Sequence, residues 1–139
     1  MNILKSIGVI LLAFMVNALL SLLTDFLLEQ IGVLPNPEKG LFEMWAILLG
    51  LSYRSIYTVF TGFIIARFAP NKSMLHALIL GITGTVITLL VVSNPEFVQK
   101  SKLWFGYTLE AITIPCLWLG VKIQESWTTR TITENYYYQ

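Results

Sequence analysis

Apolar positions along the chain gather into four long runs, roughly residues 3–28, 41–68, 74–92 and 103–123. Each is near or above the roughly 20 residues that carry a helix across a bilayer. The pattern predicts four transmembrane helices, in an all-α membrane fold. The separators are made of turn-forming residues: "GVLPNPEKG" at 32–40 has two prolines and two glycines, "APNKS" at 69–73 reads as a tight turn, and "SNPEFVQK" at 93–100 sets Asn94 against Pro95. Connections this short place consecutive helices side by side in opposite directions, which gives an antiparallel four-helix bundle over residues 1–125. The remainder, "SWTTRTITENYYYQ" at 126–139, is polar and aromatic-ended and reads as a flexible cytoplasmic tail. The first run starts as a signal peptide would, with Lys5 ahead of apolar residues. It is too long for such a segment and is followed by "TDFLLEQ" rather than a small-residue cleavage site, so it is expected to stay in the mature protein.

Composition agrees with this pattern. A chain of 139 residues that is 55% hydrophobic and 12% charged, with a mean hydropathy of +0.70, is more apolar than a soluble domain of that length. A net charge of +1 and no run of like charges give no surface for nucleic acid. The single cysteine, Cys116, excludes an internal disulfide, and His76 alone offers no metal-ligand cluster. No cofactor is expected, and the lipid bilayer is the first partner.

Orientation follows from lysine and arginine. With the N-terminus inside, Lys5, Arg67, Lys72, Lys122 and Arg130 are cytoplasmic, against Lys39, Lys100 and Lys102 outside. Both termini are therefore expected in the cytoplasm. Trp45, Trp104, Tyr107 and Trp127 sit near helix ends, where interfacial anchors belong, whereas Trp118 lies deeper. His76, near the inner end of the third helix, reads as an interfacial residue.

Small residues recur every four positions as Thr58, Gly62 and Ala66 on the second helix and as Ala77, Gly81 and Thr85 on the third, with Gly84 and Thr88 alongside. Such faces let backbones approach closely in lipid. They predict that the second and third helices pack as a hairpin, the other reading being a homo-oligomer interface. The sequon "NKS" in the connecting turn is taken as chance.

Against this background a few polar groups stand out. Ala13, Asn17, Ser21 and Asp25 form one stripe of the first helix, with Thr24 beside it, and a polar stripe should face protein rather than lipid. Arg54 lies roughly 20 Å along the second helix, close to the midplane. A charge placed there alone costs about 2.5–3.5 kcal/mol on insertion scales, and pairing lowers that cost. Glu110 sits roughly 10 Å, and Asp25 roughly 5 Å, from the outer ends of their helices. Glu110 is nearer in depth and is the first expected partner of Arg54. Asp25 is the second, and Asn17, Tyr53 or Tyr57 complete the hydrogen bonding. Pro115, five residues past Glu110, removes a backbone donor, frees the carbonyl of Ala111 and favours a kink.

"YRSIYTVFTGFIIARFAPNKSMLHALILGITG", with "TD" at 24–25 and "PCLWLG" at 115–120, resembles an uncharacterised family of small bacterial four-helix integral membrane proteins, over roughly residues 1–122. The resemblance implies a bacterial inner-membrane location and the same four-helix layout. It implies no catalytic residues. Two functional classes remain: a non-catalytic membrane subunit or partner whose polar core specifies the fold, or a small oligomeric transporter in which Glu110 or Asp25 is a protonatable site gated against Arg54. One arginine facing two carboxylates needs no substrate to explain it, which favours the first. Enzyme chemistry is not expected, because the sequence offers no nucleophile paired with a base, no metal cluster and no phosphate loop.

Overall fold

Where the sequence is apolar and free of breakers it is helical. A computed structural model describes residues 3–35, 43–69, 72–96 and 102–137, and among these it has four long helices: α1 (Ile3–Gln30), α2 (Met44–Phe68), α3 (Ser73–Val92) and α4 (Leu103–Tyr137). Three of them, α1, α2 and α3, are long and apolar enough to cross a membrane. α4, which carries Glu110 and Pro115 within its apolar stretch, is not in that set.

The ends follow local chemistry. α1 closes on Gly32, whose φ of 78° only glycine adopts without strain. Gly32 N–H donates to the Glu29 carbonyl at 3.1 Å and Val33 N–H to the Leu28 carbonyl at 2.9 Å, the paired bonds of a Schellman cap. α2 stops at Ala69, just before Pro70, which cannot supply the next N–H. α3 starts from Lys72 in the left-handed region, at φ 51°. α4 was expected to end near residue 123 with a tail after it. Instead it runs on to Tyr137, since no glycine or proline follows Gly120 to stop it. Trp127 in this extension meets Phe63 of α2 edge-on, with ring centroids 6.0 Å apart.

α2 is the hub of the packing. It makes its most extensive contact with α4 and smaller ones with α1 and α3, while α3 also rests on α4. The small-residue faces of α2 and α3 serve the contact with α4 rather than an α2–α3 hairpin, which corrects the sequence expectation. A Cβ added at Gly62 would sit 2.3 Å from the Leu117 carbonyl oxygen, and one at Gly120 would sit 2.0 Å from that of Val59. Gly81 likewise looks toward Ile114 and Leu117 of α4. The two closest backbones are thus those of α2 and α4, at a crossing only glycine permits. His76 also departs from expectation: it is buried at 3% exposure, with Nδ1 3.0 Å from the Lys72 carbonyl.

Two apolar clusters result. One joins Ala13, Ile65, Ala77, Leu80, Leu117 and Val121; the other joins Ile47, Leu51 and Phe105, with Leu109 packed on it. Large apolar side chains also cover the outside, among them Leu22, Ile56, Leu90 and Trp118, each more than half exposed.

Candidate functional site

Polar residues meet where α1 faces α2. α1 and α2 bring Asp25 opposite Tyr53 and Arg54, and Thr24 opposite Tyr57. Arg54 Nη2 donates to Asp25 Oδ2 at 2.6 Å, Tyr53 donates its hydroxyl to Asp25 Oδ1, and the Thr24 and Tyr57 hydroxyls share a hydrogen bond of 2.7 Å. The guanidinium carbon also lies 5.6 Å from the ring centroid of Phe105 and 5.9 Å from that of Tyr53. Aromatic faces at such distances add a further attraction for the cation. Both charged side chains are about a quarter exposed, at 27% for Arg54 and 22% for Asp25.

Arg54 was expected to take Glu110 first; it takes Asp25. Depth along a helix is only one coordinate of a side chain, and the Arg54 stem is long enough to cover the difference toward the end of α1. Glu110 does not join the network. Its Oε2 is buried with no hydrogen-bond partner, and Arg54 Nε is in the same condition.

A cavity of about 390 Å³ lies beside the network and is lined by all four helices. Four of the five residues expected from sequence stand on its wall: Asn17, Asp25, Arg54 and Glu110. Tyr57 is not among the lining residues and shares a hydrogen bond with Thr24. The rest of the wall is mostly apolar, including Phe14, Leu22, Leu80, Leu109 and Leu117. Several hydroxyls near it are already committed: Thr58 donates to the Arg54 carbonyl at 2.8 Å, Thr113 to the Leu109 carbonyl at 2.9 Å, and Ser21 to Asn17 at 3.4 Å. Ser and Thr in apolar helices commonly satisfy themselves in this way. The polar chemistry of the wall therefore reduces to the ion pair, the Asn17 amide, the Thr88 hydroxyl and Glu110.

Sequence reasoning passed over Thr24 as the partner of Tyr57, Phe105 as a second aromatic face for Arg54, and Gly120. Thr24 had a visible signal, lying one turn from Ser21 and adjacent to Asp25. Gly120 had a weaker one, the four-residue spacing from Cys116.

No protein-family model, curated protein or solved structure matches the chain. What stands is a protein that is helical among the described residues, with three helices there long and apolar enough to cross a membrane.

Proposed function

We propose that this protein is a multi-pass bacterial inner-membrane protein of non-catalytic function, a subunit or partner in which α1 to α4 form an antiparallel four-span bundle with both termini in the cytoplasm. The support for the membrane is the apolar exterior, which would be costly against water on this scale. The observation that carries the functional reading is the Arg54–Asp25 pair with its two tyrosines. A charge in lipid is tolerated when it is matched internally, and here the match ties α1 to α2 at one register. Partners on this reading are the bilayer and another membrane protein, whether a second copy or a different chain. The test is a double-mutant cycle on thermal stability in detergent with Arg54→Met and Asp25→Asn. Coupling of at least about 1 kcal/mol is expected, and additive losses would remove the register role.

One observation favours the second reading, a small oligomeric transporter or permeation protein. Glu110 faces a cavity with no partner for Oε2, a condition that fixing helix register does not require.

A further inference from the structure

The charges on the cavity wall do not balance. Asp25 and Arg54 pair at 2.6 Å, and Glu110, the third charged residue on the wall, is in no ion pair among the described residues, its Oε2 buried without a hydrogen bond. No other element supplies a cation to the wall: α1 contributes Asp25 alone among charged residues, α2 contributes Arg54, and α3 contributes Leu80, Gly84 and Thr88. A carboxylate set on a mostly apolar wall is stabilised by a cation brought beside it.

The size and lining of the space bear on which cation it suits. About 390 Å³ is far more than a single water needs and falls in the range of small-molecule sites. A bare metal ion would need several oxygen ligands, and no group of three or more His, Cys, Asp or Glu side chains that could hold one is found among the described residues. The apolar side chains that make up most of the wall instead suit a charge carried on an apolar body. Gly84 adds room, since a Cβ there would meet nothing within 4 Å.

We propose that this cavity is a binding site for an amphiphilic organic monocation, an ammonium bearing apolar substituents, with Glu110 as its counter-ion and the Gly84 side of the cavity holding the apolar part. The assignment rests on the reading of the polar layer as a cavity built inside a membrane bundle.

The test is isothermal titration of the purified full-length chain in detergent with benzyltrimethylammonium, and separately with benzoate as a probe of similar bulk and opposite charge. The parent should bind the cation and not benzoate. Glu110→Gln and Gly84→Leu should each weaken cation binding at least about tenfold, the first by removing the charge and the second by filling the space. Retained thermal unfolding transitions in both variants establish that the loss is local. A folded parent that ignores the cation, or a Glu110→Gln variant that binds it as well as the parent does, overturns the proposal. Should the Arg54–Asp25 cycle show coupling while the cation fails to bind, the ligand assignment falls and the register role stands. Should the cation bind without that coupling, the register role falls alone.

Discussion

Replacing one hydrogen by a methyl group at Gly120 should unlock the molecule. The Cβ of Gly120→Ala would lie 2.0 Å from the Val59 carbonyl oxygen, 2.8 Å from the Phe63 nitrogen and 3.0 Å from Gly62 Cα. All three are backbone atoms, so no rotamer change relieves the clash. Ordinary contact begins at 3.4 Å. The α2 and α4 axes must therefore part locally by about 1.4 Å, the shortfall against 2.0 Å, and a gap of about 0.5–1 Å already forfeits a quarter to a half of the dispersion well. Because this is the most extensive helix pair in the protein, the loss should reach about 3 kcal/mol or more, the upper end of overpacking costs. Thermal unfolding in detergent, followed by tryptophan fluorescence, measures it. Gly84→Ala is the control: its methyl meets nothing within 4 Å, and alanine is better than glycine inside a helix by about 0.5–1 kcal/mol, so that variant should match or exceed the parent. If Gly120→Ala proved as stable as Gly84→Ala, the α2–α4 crossing described above would be wrong.

Single cysteines at Lys39 and Asn94, in a background with Cys116→Ser, should react with an impermeant thiol reagent from the periplasmic side, whereas one at Lys72 should not; the reverse pattern inverts the proposed orientation. Tyr57→Phe removes the hydroxyl shared with Thr24 and should lower stability by about 1 kcal/mol, and a Thr24→Val change made on top of it should add little. Trp127→Ala should cost about 0.5–1.5 kcal/mol beyond its lost area through the Phe63 edge contact, read in the same unfolding assay; a neutral result would detach the α4 extension from the bundle.

The helices and the membership of the polar wall were legible in the sequence because both depend on quantities a sequence displays directly. Run length and turn residues placed α1, α2 and α3 within a few positions, and the four-residue spacing of Asn17, Ser21 and Asp25 put them on one inward face. What the sequence withheld was rotation about each helix axis. Depth can be counted in residues, but whether Glu110 or Asp25 turns toward Arg54 depends on azimuth, and azimuth is set by the packing of α4 against α2. The small residues show the same limit. Their spacing announced a close approach, yet adjacency in the chain suggested α3 as the neighbour of α2, and the crossing at Gly62 and Gly120 belongs to α4 instead. The far end of α4 was misjudged for another reason: polarity was taken as a sign of a tail, although nothing from Val121 onward breaks a helix.

The separation between Arg54 and its partner also has a temporal meaning. Asp25 precedes Arg54 by 29 residues, and chains are made from the N-terminus. On the membrane reading, a ribosome delivers α1 to the bilayer before the guanidinium emerges. The anion is thus already waiting when the cation has to leave the translocation channel, so α2, the least hydropathic of the three apolar helices, can partition into lipid as half of a neutral pair. The glycine crossing cannot help at that moment, because Gly120 has not yet been synthesised. Biogenesis then has two stages with different chemistry: an electrostatic one that commits the first two helices, and a steric one that closes the bundle once α4 arrives.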